Sequence, residues 1–76
     1  MQGETLDDLV RARTHRALDA AEAVQEGNAY NEVIADVEKT VFETALKRVA
    51  GNQVKASRLL GIHRTTLRKK MEELGL

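Results

Sequence analysis

Between Val33 and Val49 the apolar residues recur at helical spacing without a break. Val33, Ile34, Val37, Val41, Phe42, Ala45, Leu46 and Val49 meet the 3.6-residue period throughout, which specifies a long amphipathic helix. The stripe is wider than a single narrow seam. A wide stripe needs more than one neighbour, so this helix is expected to pack on its own domain and on another subunit. Asn28 or Asn31 can cap its start, and Gly51 ends it.

Length leads to the same expectation. A chain of 76 residues is one small domain with a marginal core of its own. Small chains recover stability with disulfides, metals or a partner subunit. There is no cysteine, which excludes disulfides and thiolate metal sites, and two histidines do not complete a structural zinc site. A partner subunit is the remaining remedy. With 42% apolar and 32% charged residues the chain has a globular balance, and the absence of proline suits uninterrupted helices. No apolar run approaches transmembrane length and no basic-then-apolar leader opens the chain, so a soluble, cytoplasmic protein without membrane association is expected.

Three further helices flank the central one. Thr5 and Asp8 form a capping-box pattern, and Leu6, Leu9, Val10, Ala17, Leu18, Ala21 and Val24 follow at three- and four-residue steps. Gly27 is expected to stop that helix, with Asn28 continuing the turn. Toward the C-terminus Asn52 caps a short helix over about Gln53 to Leu60, Gly61 breaks it, and another helix runs from about Arg64 to Leu74 before Gly75. Leu59, Leu60, Ile62, Leu67, Met71 and Leu74 are expected to face inward. The class is all-α, with four helices and no strand candidate.

A net charge of zero conceals a strong asymmetry. Residues 1–46 carry four basic and ten acidic side chains, whereas residues 47–76 carry eight basic and two acidic ones. The halves therefore hold −6 and +6. A segregated basic end points to a polyanionic partner for that end alone.

The basic end also has the parts of a helix-turn-helix: a short helix, a tight turn containing glycine, and a second helix. Ala56 and Ser57 are small enough for the helices to approach closely, Gly61 stands where the chain must turn, and Leu60, Ile62 and Leu67 can hold the pair together. At the second helix lie His63, Arg64, Thr65, Thr66, Arg68, Lys69 and Lys70. The first residues of a recognition helix reach base edges, and arginine bonds both acceptors of a guanine edge. Arg64 is therefore the leading base reader. Arg68, Lys69 and Lys70 are read as phosphate contacts, Thr66 and Asn52 as neutral ones. Lys55 completes the candidate DNA-binding set with His63 and Thr65.

The segment from Gly51 to Met71 resembles the Fis-type helix-turn-helix. Its Gly-Asn-Gln opening, Leu-Gly-Ile turn and Thr-Leu-Arg-Lys-Lys tail carry the resemblance, which extends more weakly back to Tyr30. The same module closes the NtrC-like transcription activators. The resemblance implies a four-helix homodimer whose first two helices form the dimer core and whose last two read double-stranded DNA. In Fis the two recognition helices lie closer than one turn of straight DNA, which implies bending and a loose, deformability-based sequence preference. Asn52, Arg64, Thr66, Arg68 and Lys69 match positions that contact DNA in the family. His63 stands where the family often has asparagine, and Val54 replaces a usual hydroxyl residue.

The whole chain, 1–76, is expected to be a single Fis-like domain, with dimerisation helices over about 5–50 and the DNA-binding unit over about 51–76. Its expected role is transcription regulation or nucleoid organisation. The other reading of the resemblance is the DNA-binding domain of an NtrC-like activator. A purely helical dimerisation module that touches protein or membrane through its basic end would show no saturable binding to short duplexes. Catalysis is not expected. His15 and His63 fall on different elements, no nucleophile–base pair is evident, and there is no glycine-rich phosphate loop. No cofactor, metal or small-molecule ligand is implied.

Overall fold

The computed structural model describes residues 3–76. Among these residues there are four α-helices and no strand: α1 (Leu6–Val24), α2 (Ala29–Arg48), α3 (Gln53–Leu60) and α4 (Arg64–Leu74). They form two compact units whose boundary, between Asp36 and Val37, lies inside α2.

In the first unit α1 opens with the capping box that its sequence encodes. The Asp8 N–H donates to the Thr5 hydroxyl and the Thr5 N–H donates to Asp8 Oδ2, both at 3.1 Å. The helix stops earlier than Gly27, which corrects the sequence expectation. Gln25 takes the left-handed conformation at φ 56°, and the N–H groups of Gln25 and Glu26 return to the carbonyls of Glu22 and Ala21. That bonding pattern satisfies the last carbonyls before glycine is reached. Asn28 stands at the cap of α2, its carbonyl accepting from Glu32 N–H and its Oδ1 from the Asn31 amide. Arg13 of α1 donates to Asp36 of α2 at 2.6 Å. The buried apolar side chains of this unit are Ala17 and Val33. Leu6 and Tyr30 are 72% and 75% exposed, and Leu9, Leu18 and Ile34 also face outward.

The second unit joins the end of α2 to α3 and α4. Phe42, Ala56 and Leu67 are its buried centre, with Leu46, Val49, Leu60, Ile62, Met71 and Leu74 packed around them. The helix-turn-helix pair is thus completed by two residues of α2, Phe42 and Leu46. A pair of short helices has too little apolar area to be stable alone, so the third element is a physical requirement. α2 ends at Arg48, and Ala50 at φ 52° and Gly51 at φ 82° follow, both left-handed, with the Gly51 N–H donating to the Leu46 carbonyl at 2.8 Å.

α3 and α4 have the limits read from the sequence. One inward expectation fails: Leu59 is 67% exposed. Ala56, Ser57 and Leu60 occupy the inner face of α3, and Leu59 projects from its flank. Ser57 is buried and its hydroxyl donates to the Val54 carbonyl at 2.9 Å, so this polar group is satisfied within its own helix.

Candidate nucleic-acid interface

The geometry of the basic end follows from small residues and caps. Ala56 is fully buried and Ser57 nearly so, which lets α4 sit close to α3. Gly61 adopts φ 76°, a conformation that side-chain-bearing residues rarely take. Its N–H and that of Ile62 both donate to the Ser57 carbonyl, at 2.9 and 3.1 Å, and close α3. The chain then extends at His63, with φ −70° and ψ 143°, and α4 begins.

Both helices carry a side-chain cap at the end that the sequence assigns to DNA contact. Asn52 Oδ1 accepts the Lys55 N–H at 3.1 Å, and its amide nitrogen makes no hydrogen bond among the described residues. His63 caps α4 in the same manner: its Nδ1 accepts the Thr65 N–H at 3.1 Å. His63 is exposed, so its second ring nitrogen, Nε2, remains open to solvent. His63 is therefore the residue before α4 rather than part of it, and its imidazole has a structural task in addition to any contact with a partner.

On α4, Leu67 is fully buried, and Met71 and Leu74 share its side. At 3.6 residues per turn, Thr65 and Lys69 lie roughly opposite Leu67, with Arg68 and Thr66 on the two flanks. Arg64, Thr65, Thr66, Arg68 and Lys69 are all exposed, as are Asn52 and Lys55 on the α3 side. None of the cations among them is ion-paired within the described residues. The structure thus brings eight of the nine candidates to the solvent-facing side of α3, the turn and α4.

Lys70 is different. It is half-buried, and its Nζ sits 3.2 Å from Glu38 Oε2 and 3.4 Å from Oε1, with Glu73 at 3.9 Å. Lys70, read from the sequence as a phosphate contact, thus has carboxylate partners within the second unit. It neighbours the Leu67–Met71–Leu74 face of α4, which directs it toward α2. Arg58, absent from the candidate set, is an exposed cation in the last turn of α3. Its position there complements the negative end of the helix dipole.

With this geometry in place, the comparisons with known proteins converge. The profile of the Fis family of bacterial regulatory proteins matches residues 33–74. The chain belongs to the Fis family. The matched span takes in the second unit's core and all of the candidate interface. A Fis-like DNA-binding protein of Pseudomonas aeruginosa is 41% identical over 75 residues, covering 99% of this chain and 72% of that protein. The DNA-binding protein Fis of Aliivibrio fischeri is 34% identical over 71 residues, covering 93% of this chain and 72% of its own length. The DNA-binding transcriptional regulator NtrC of Rhizobium meliloti is 44% identical over 55 residues, which cover 72% of this chain but 11% of the regulator. No solved structure gives a significant match. Among the described residues of this Fis-family chain there is no cluster able to hold a metal ion, and no helix is long and apolar enough to cross a membrane.

Proposed function

We propose that this chain is a homodimeric DNA-binding protein that places α4 in the major groove, bends the duplex and acts in transcription regulation or nucleoid organisation. The observation that carries the reading is the outer side of α3 and α4. A capped helix start presents Arg64, Thr65, Thr66, Arg68 and Lys69 to solvent, with their cations unpaired among the described residues. Arg64 at the first turn reads a base edge, and Lys69, Arg68 and Lys55 hold phosphates. The names of the Fis-like relatives, which are DNA-binding proteins, support this assignment. Such a protein works in the cytoplasm, at the nucleoid.

The dimer rests on the first unit. Its exposed Leu9, Leu18, Tyr30 and Ile34 outnumber its buried side chains, Ala17 and Val33. An open groove of about 330 Å³ runs along Val10, Thr14, Leu18, Tyr30, Val33 and Ile34. A second copy of the chain covers this surface and supplies the second neighbour that the wide stripe of α2 requires. Bending and loose sequence preference follow the resemblance to Fis, where closely spaced recognition helices require a curved duplex. A second reading, the DNA-binding portion of an NtrC-like activator, is favoured by the 44% identity to one segment of that regulator. Both readings share the same chemistry at DNA.

The deciding experiment is fluorescence anisotropy of a labelled duplex of about two to three helical turns with an A·T-rich centre, over a range of salt concentrations. With about three to four cationic contacts per subunit, a dimer gives a log–log slope of roughly −5 to −7. Saturation at two chains per duplex with that slope supports the proposal. No binding at low salt rejects it.

A further inference from the structure

We infer that Lys70 is withheld from DNA by Glu38 and acts as a positioning residue that seats α4 on α2. This rests on the reading of α4 as the recognition helix. The Lys70 ammonium lies between two carboxylates, Glu38 at 3.2 Å and Glu73 at 3.9 Å, so the three side chains together hold one net negative charge. A group of that sign does not attract a phosphate. Direction gives the same answer. Lys70 leaves α4 beside the face carrying Leu67 and Met71, which packs into the second unit's core. Lys69, one residue earlier, leaves about 100° around the helix, roughly opposite Leu67, and has no ion-pair partner among the described residues. To reach a phosphate in front of Lys69, the Lys70 chain would have to give up Glu38 and cross the flank of the helix.

The pair adds a polar tie to the apolar packing between α2 and α4. Apolar packing of Phe42, Leu46, Leu67 and Met71 is non-directional and sets how closely α4 lies on α2. An ammonium held to both oxygens of one carboxylate, at 3.2 and 3.4 Å, adds a directional tie that resists rotation of α4 about its axis. Such a rotation would carry Arg64 and Thr65 away from the base edges they face in the proposed complex.

Salt dependence separates a withheld lysine from a phosphate contact. The measurement uses the full chain and the labelled A·T-centred duplex at several salt concentrations. Lys69→Gln should make the log–log slope shallower by about 0.9 per subunit, or roughly 1.8 per dimer. The double variant Glu38→Gln with Lys70→Gln keeps the net charge and nearly the same shape, and its slope should equal that of the wild type. A slope as shallow as that of Lys69→Gln would overturn the inference. The positioning role is read from charge reversal. Lys70→Glu should weaken binding at least tenfold, and adding Glu38→Lys should restore both affinity and slope, with circular dichroism confirming equal helicity. Failure of the swap to restore binding in a folded protein would also overturn it. Wild-type protein that binds no duplex would instead remove the DNA-binding reading on which the inference stands.

Discussion

The Nδ1 of His63 accepts the backbone N–H of Thr65 at 3.1 Å, and this contact sets where α4 begins. The proposed base-reading residues Arg64 and Thr65 are the first two of that helix. Their aim therefore depends on a cap supplied by the imidazole of His63. Removing the cap in His63→Ala should destabilise the fold by about 1 kcal/mol, whereas His63→Asn should keep most of the stability. Urea unfolding followed by circular dichroism measures both. Equal stability of the alanine variant and the wild type would show that the cap contributes nothing.

Arg64 and Lys69 should fail differently. Arg64→Ala removes a bidentate contact to a base edge and should weaken binding to a duplex selected from a random pool by about 1–3 kcal/mol. The same change should matter little on a scrambled duplex. Lys69→Ala should weaken both duplexes alike. Equal losses for Arg64→Ala on the two duplexes would assign base reading to another residue.

Leu67 supports the whole interface from behind. It is fully buried against Phe42 and Ala56. Leu67→Ala should therefore cost about 2–5 kcal/mol, since it removes buried apolar area and leaves a cavity. In a chain this small that loss unfolds the second unit, visible as lost helicity and lost DNA binding at 37 °C.

Ala50 stores a small strain. Its φ of 52° lies in the left-handed region, where a Cβ is disfavoured. Ala50→Gly relieves that strain but gives the unfolded chain more freedom. The difference should leave the variant more stable by about 0.5 kcal/mol, a rise of several degrees in Tm for a domain of this size. A fall in Tm would show that the added freedom of the unfolded chain outweighs the relieved strain.

Asp8 makes the start of α1 sensitive to acid. The hydrogen bond from the Thr5 backbone N–H, with smaller help from the Thr5 side chain and Arg11, holds its carboxyl below the usual aspartate range. A carboxyl whose value is lower folded than unfolded stabilises the fold above its unfolded value, and that help disappears as pH falls through the folded value. Wild-type helicity should decline over this acid range more than that of Asp8→Asn. Superimposable titration curves would show that the cap carries no linkage.

Much of this architecture is written in local residue choices. Asn52, Gly61 and Gly75 mark the limits of α3 and α4 because capping and left-handed closure are decided within a few residues. The wide stripe of α2 announces its need for two neighbours, and Ile34, Val37 and Val41 are indeed outward-facing while Val33 and Phe42 are buried. The stop of α1 at Gln25 was less legible, because the closing bonds form wherever the last turn satisfies its carbonyls, and a glycine two residues on misleads.

Composition, periodicity and turn residues alone determined the all-α class, the helix-turn-helix and the segregation of positive charge to its end. These depend on short-range backbone preferences and on counting charges. Tertiary structure alone decided that Phe42 and Leu46 complete the core of the helix-turn-helix, that Leu59 lies outside it, and that Lys70 turns to Glu38 while Lys69 faces solvent. Adjacent lysines are equivalent in a sequence. On a helix they leave in directions about 100° apart, and what lies in each direction is set by elements distant in the chain.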